Sequence, residues 1–246
     1  MELTLALVLL LGCASSYGRA SDLPSGIERC AIMDEQCLEN GVNFVLRNYA
    51  KSGIKELGLI PLDPLHVKKF KLGRNPHSPV NIDLSFHEMD ILGLHQGVAK
   101  RVSGFTSDLS RSIELVMDVP EIGVRGPYSV DGRILILLIT GKGNADIRSV
   151  RALIKFKRVS KGDHQTYAEV VDIKVELDPS HVTYHLENLF NGQKDLSENM
   201  HALINENWKD IFNELKPGIG EAFGLIAKSV LDRIFGKLPL EQLLVV

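Results

Sequence analysis

Residues 197–236 read SENMHALINENWKDIFNELKPGIGEAFGLIAKSVLDRIFG. Met200, Leu203, Ile204, Trp208, Ile211, Phe212 and Leu215 recur there at three- and four-residue steps. Beyond Pro217 the stripe continues through Ile219, Phe223, Ile226, Val230, Leu231 and Ile234. This is the period of one helix face. Pro217 either kinks a single helix or opens a second one at its first turn. Unbroken, the segment would run roughly 60 Å at 1.5 Å per residue, longer than a compact domain of this size is wide. Such a helix needs an elongated partner.

The middle of the chain offers one, because there the period falls to two. Ile82, Leu84 and Phe86 alternate with Asn81, Asp83 and Ser85; Ile113, Leu115, Met117 and Val119 alternate with mostly polar neighbours; Val171, Ile173, Val175 and Leu177 alternate with Asp172, Lys174, Glu176 and Asp178. The pattern predicts an antiparallel sheet wet on one face. The continuous apolar run Ile134–Ile139 predicts a strand buried on both faces. Asp131-Gly132, Gly141-Lys142-Gly143 and Lys161-Gly162-Asp163 read as hairpin turns. Residues 54–79, with Pro61, Pro64, Pro76 and Pro79, form a connector with short extended pieces. Before it, Asp34 to Lys51 is helical in pattern, with Asp34 as N-cap and Gly53 after the end. A helix, a block of strands and a long striped helix make an α+β domain.

At the N-terminus, Leu3–Leu11 is apolar but for Thr4 and leads into Gly12, Cys13, Ala14, Ser15 and Ser16. A short apolar core followed by small residues reads as a secretory signal peptide over 1–20, with cleavage after Ala14, Gly18 or Ala20 and a single domain over 21–246. Removing it takes Cys13 away and leaves Cys30 and Cys37, which in an oxidising compartment are expected to form a disulfide. The net charge of −3 gives no global reason to bind nucleic acid or an acidic membrane surface.

Catalytic and metal motifs are weak. G-x-S-x-G is absent, and His87-Glu88 starts like a zinc-protease motif but has Ile91 where the second histidine belongs. His181 and His185, with Glu187 near, lie about 13 Å apart if on a strand, too far to clamp one ion. Arg148, Arg151, Lys155, Lys157, Arg158 and Lys161 read as a solvated basic face, with an anionic headgroup or a receptor as the alternative. No cofactor, metal or enzymatic activity is expected. Periodicity alone does not separate a filled core from a hollow one.

The chain resembles the takeout and juvenile hormone-binding protein family of insects. The residues that carry the resemblance are the Cys30/Cys37 pair before the first helix, then Pro61-Leu62-Asp63-Pro64-Leu65 with Lys68, Lys69 and Phe70. They continue with Gly126-Pro127-Tyr128, Val130-Asp131-Gly132 and the run to Gly141-Lys142-Gly143-Asn144-Ala145. At the end stand Asn207-Trp208-Lys209, Leu215-Lys216-Pro217, Phe223 and Ile234-Phe235 before Lys237-Leu238-Pro239. With one cysteine pair it is more similar to takeout proteins than to the moth haemolymph carriers. The resemblance implies a tubular lipid-binding (TULIP-like) fold, in which a strongly curved antiparallel sheet wraps a long C-terminal helix around an apolar tunnel. It further implies a secreted, monomeric carrier of a terpenoid, fatty acyl chain or similar apolar ligand, tied to feeding, chemosensory or circadian physiology. The tunnel is expected to be lined by Leu84, Phe86, Leu115, Met117, Ile173, Val175, Phe212, Phe223 and Ile226. Two other readings stand beside this one: a signalling protein with a solid core, and a membrane-active protein using the C-terminal stripe on lipid.

Overall fold

A computed structural model describes residues 23–106, 112–152 and 167–245, with the backbone alone over 149–152. The spine is β7, Glu114–Ile134, which at about 3.3 Å per residue extends roughly 70 Å along its path. One edge pairs antiparallel with β8, Leu137–Ala152. The other carries three short strands end to end: β6 (Val98–Ser103) against 114–118, β5 (Met89–Leu92) against 123–125, and β4 (Val80–Phe86) against 128–134. Outside these, β2 (Leu65–Val67) pairs with β5, β3 (Phe70–Leu72) with β4, and β9 (His181–Leu186) with β8.

The two prolines of β7 fall where that second edge is interrupted. Pro120 lies between the stretches paired with β6 and β5, and Pro127 between those paired with β5 and β4. Proline cannot donate to a ladder, so a gap in the ladder is where a strand tolerates it. At the second gap His87 donates its N–H to the Pro127 carbonyl, and Glu88 takes a positive φ of 93° to turn the chain from β4 into β5.

Four α-helices complete the fold among the described residues. Helix α1, Glu35–Tyr49, starts as its sequence predicts: the Asp34 carboxylate accepts from the Cys37 N–H at 3.0 Å. Cys30 and Cys37 are disulfide-bonded, Cα atoms 5.6 Å apart, tying the start of α1 to β1 (Cys30–Ala31). That two-residue strand pairs parallel with β10, Leu244–Val245. The striped segment forms α2, Lys194–Glu206, and α3, Trp208–Phe235. The break falls at Asn207, whose φ of −104° and ψ of 25° leave the helical region. The helix runs through Pro217, so that proline does not open a second helix. Helix α3 is about 42 Å long. The short α4, Leu240–Leu243, leads into β10.

Several expected strands and turns differ. Ile134–Ile139 is a hairpin tip, not a doubly buried strand: Ile134 pairs with Leu137, and Leu135-Ile136 make the turn. An unbroken apolar run fits a buried strand and an apolar turn equally well, and only the pairing register separates them. Asp131-Gly132 and Gly141-Lys142-Gly143 are not turns. Both lie inside the β7–β8 ladder, with Val130 opposite Gly141 and Gly132 opposite Ile139. Gly132 is there for space, because a Cβ would stand 2.3 Å from the Asn81 carbonyl on β4. Lys161-Gly162-Asp163 lies outside the described residues.

Residues 171–179 form no ladder among the described residues, although burial still alternates, with Val175 and Leu177 inside. This segment lies on α3. Cβ atoms at Gly220 and Gly224 would stand 2.6 and 2.8 Å from the carbonyl oxygens of Val175 and Ile173, so two glycines one turn apart let an extended backbone rest on the helix. Gly224→Val should therefore lower stability by about 1–3 kcal/mol in urea unfolding, through overpacking and not through lost helix propensity alone.

The free edges of the sheet are covered by side chains that imitate a strand. On α1, Asn43 Nδ2 donates to the Ala99 carbonyl at 3.1 Å, and the Ala99 N–H donates back to Asn43 Oδ1 at 2.8 Å. On α2, Asn205 makes the same pair of bonds with Tyr184 of β9, and His201 Nε2 accepts from the Leu186 N–H. Ala99 is fully buried, so removing its partner strands two backbone groups. Asn43→Ala should cost about 2–4 kcal/mol by urea denaturation, well above the effect of a typical exposed substitution.

Candidate functional site

Between sheet and helix the core divides into two halves. Around the first part of α3 it is filled: Leu72, Ile82, Leu84, Phe86, Val130, Ile134, Ile211 and Phe212 belong to one buried cluster. Around the second part it is hollow. A cavity of about 380 Å³ lies under Leu115, Met117 and Ile122 of β7, Ile91 of β5 and Val102 of β6. Its floor is the α3 face Phe223, Ile226, Ala227, Val230 and Ile234. Helix α1 supplies one wall through Leu38, Val42, Val45 and Leu46, and the connector adds Ile54, Leu57, Leu59 and Leu62. Leu238, Leu243 and Leu244 close the C-terminal end. Phe223 divides the two halves, facing the cavity while its ring packs edge-on against Phe70 at 6.0 Å; Phe70 in turn meets Phe86 at 6.0 Å.

Of the residues the sequence nominates, Leu115, Met117, Val175, Phe223 and Ile226 come together on the cavity wall. Leu84, Phe86, Ile173 and Phe212 do not line it. The first two are inward on β4 but lie over the filled half, Phe212 is buried there as well, and Ile173 packs beside Gly224. Strand parity identifies the inner face of a sheet but not where along its length the interior opens. The walls from α1, the connector and the C-terminal tail are the residues sequence reasoning missed. The stripe Leu38, Val42, Val45 and Leu46 was legible as a helix face, and nothing in its period said that the face looked onto empty space.

The lining is almost wholly apolar. Among the described residues that line the cavity Glu28, itself exposed, is the one with an ionisable side chain, and none of them is a lysine, arginine or histidine. The cavity roof depends on a polar clasp just outside it. Asp63, in the connector, is buried; its Oδ2 accepts from the backbone N–H of Gly93 at 3.0 Å and of His95 at 2.9 Å, and it pairs with the His95 imidazole Nδ1. The short turn Leu94–Gln96 is thereby held with Leu94 on the cavity wall. Burial alone would raise the Asp63 pKa. The two backbone bonds and the His95 side chain outweigh it and hold the carboxyl below the ordinary carboxylate range.

The histidines expected to be bland have separate partners. His181 packs edge-on against Trp208 at 5.2 Å and His185 stacks on His201 at 5.5 Å. Among the described residues no group of three or more His, Cys, Asp or Glu is placed to hold a metal ion. Arg148 is committed to Asp146 and Glu121, and the rest of the basic run lies beyond the described side chains. No helix among the described residues is long and apolar enough to cross a membrane.

A curved antiparallel sheet folded over one long helix, with an apolar cavity between them, defines a mixed α+β hydrophobic-ligand-binding architecture. Residues 6–245 match the family of haemolymph juvenile hormone binding proteins, and the chain belongs to that family. It is 29% identical over 256 residues to the circadian clock-controlled protein daywake of Drosophila yakuba, covering 98% of each chain. It is 29% identical over 242 residues to daywake of Drosophila melanogaster, covering 95% of this chain and 93% of that one. The crystal structure of Takeout 1 from Epiphyas postvittana superposes with a TM-score of 0.75 at 24% identity, over 89% of this chain and all of that one. The TULIP-like fold and the takeout-like resemblance read from the sequence therefore hold.

The Asp63 clasp has a consequence for pH. A carboxyl whose folded pKa is depressed adds stability that is fully present above its unfolded value, near 4, and is lost as pH falls through the folded value. Asp63→Asn should cost about 1–3 kcal/mol at neutral pH, and the gap to the unmodified protein should close on acidification below about pH 4. Urea titrations across that range measure it.

Proposed function

We propose that this protein is a secreted, monomeric carrier that holds one neutral, largely apolar ligand in the cavity between α1, β7 and the second half of α3, and that it performs no catalysis. The cavity lining supports this most directly. A space of about 380 Å³ lined by aliphatic and aromatic side chains favours transfer of an apolar molecule from water, and its size falls at the lower end of small-ligand sites. Burying a chain of ~15 carbons at about 0.8 kcal/mol each gives roughly 12 kcal/mol gross. Association costs of several kcal/mol then leave micromolar to nanomolar affinity.

The charge pattern narrows the ligand class. With no cation among the described lining residues, these residues offer an ionised carboxylate no counter-charge, and its desolvation is a cost that an alcohol or ester avoids. A terpenoid or an esterified acyl chain therefore fits better than a free fatty acid. Secretion is supported by the apolar leader over 1–20, by the Cys30–Cys37 disulfide and by the family's description as haemolymph proteins. The relatives named as circadian clock-controlled proteins support a role in daily physiology.

Organic extraction of purified protein followed by mass spectrometry should recover a co-purified neutral lipid. Leu115→Trp and Phe223→Trp, which place indoles in the cavity, should weaken uptake of a fluorescent acyl ester at least about tenfold while the fold persists. Phe212→Leu, outside the lining, should leave affinity unchanged. Protein that extracts empty and fails to take up the ester would refute the carrier in favour of a signalling protein without a bound ligand, and undiminished binding by both tryptophan variants would refute this cavity as the ligand site.

A further inference from the structure

We propose that the tip of the β7–β8 hairpin is a docking surface for an anionic lipid membrane, at the end of the molecule away from the cavity. Four consecutive large apolar residues are exposed there: Leu135 at 49%, Ile136 at 89%, Leu137 at 45% and Leu138 at 76%. They do not share a face. Leu137 follows the inward parity of the buried Ile139, Leu138 lies on the outer face opposite Arg133, and Leu135 and Ile136 cap the turn. The result is a convex apolar knob, most exposed at Ile136 and Leu138. About 40 Å of strand separates Ile134, at its base, from Ile122 on the cavity wall, so the knob is a separate feature from the ligand site.

The local chemistry argues that the knob is retained for a purpose. Leu135 adopts a φ of 54°, a conformation that bulky side chains rarely take and that two-residue hairpin turns usually assign to glycine or asparagine. An apolar residue is thus held where turn chemistry disfavours it, half exposed to water and beside the almost fully exposed Ile136. The neighbouring loop, residues 73–79, touches the tip through the Leu135 N–H, which donates to the Pro79 carbonyl at 2.7 Å.

Charge decides the occupant. The sequence of residues 132–142 and of the 73–79 loop contains Arg133, Lys142, Arg74 and His77 and no aspartate or glutamate. Two of the acids at this end are matched by cations, Asp131 by Arg74 and Asp83 by Lys71, and the Glu214 carboxylate accepts from the Ser78 hydroxyl, so Arg133 and Lys142 are the cations that make the collar. A basic collar behind an apolar wedge suits the headgroups and acyl boundary of an anionic bilayer, and a convex knob inserts into fluid lipid without a matching pocket. The contact is interfacial and reversible.

Co-sedimentation of the full chain with phosphatidylcholine vesicles, with and without phosphatidylserine, tests the proposal. The protein should pellet with both and more with phosphatidylserine. Ile136→Ser with Leu138→Ser should weaken binding to both at least about tenfold, and Arg133→Gln should weaken only the phosphatidylserine component. Leu135→Gly with Ile136→Ser, which gives the turn the residue its backbone asks for, should keep or raise Tm while losing the vesicles. Uptake of a fluorescent acyl ester, measured on the same variants, should not change, so the outcome is independent of the carrier reading. Failure of the unmodified protein to bind either vesicle would overturn the assignment. So would undiminished binding by both double variants, or a self-associated form in ultracentrifugation that these substitutions dissolve, which would mark the tip as a contact between copies.

Discussion

The reciprocal hydrogen bonds between Asn43 and Ala99 determine where α1 can lie, and with it whether a cavity exists. Among the described residues the sheet does not close on itself, so its edge strands present backbone donors and acceptors that need partners once buried. Asn43 supplies both partners for Ala99 from a single side chain, which fixes the distance and rotation of α1 over β6. Leu38, Val42, Val45 and Leu46 then face inward across the gap to α3. At the opposite edge Asn205 and His201 do the same for β9 and bring α2 against it. The two helices are edge covers first, and only one of them encloses empty space.

Why one half is filled and the other hollow follows from what meets α3. In its first half Gly218 and Gly220 allow Leu72 and the Val175 backbone to approach, Gly224 does the same for Ile173 just past the divide, and the aromatic chain Phe86, Phe70 and Phe223 blocks the interior. Beyond Phe223 the helix presents Ile226, Val230 and Ile234 to partners that stand further off, namely β7 near its start, α1 and the C-terminal tail. The filled half contributes packing, and the hollow half forgoes some of it. That division concentrates stability away from the ligand space, so the cavity can persist without the whole sheet being loosely packed.

Much of the architecture was legible in the residues. Asp34 as N-cap, the parity of Ile82, Leu84 and Phe86, and the helical stripe beyond Met200 each reported a local period that the structure reproduces. The spine strand was not legible, because Pro120 and Pro127 inside it argue locally against a strand, and only the interrupted pairing of its neighbours makes room for them. The extent of the cavity was hidden for a similar reason. Leu115 and Leu84 have the same parity and hydrophobicity, yet one faces a void and the other a filled core, a difference set by the long-range placement of α1 and Phe223.

The polar clasp at Asp63 shows how a motif recognised by sequence acquires a physical role. Read alone, Pro-Leu-Asp-Pro is a connector with a turn in it. In the fold its aspartate is buried and satisfied by two backbone N–H groups and an imidazole from the turn that carries Leu94 to the cavity wall. An asparagine would keep an acceptor but lose the charge that strengthens each of these bonds. The lining itself stays almost free of ionisable groups because such polar work is done one layer outside it. That separation is what lets the cavity select for apolar surface while the residues that shape it remain fixed by directional bonds.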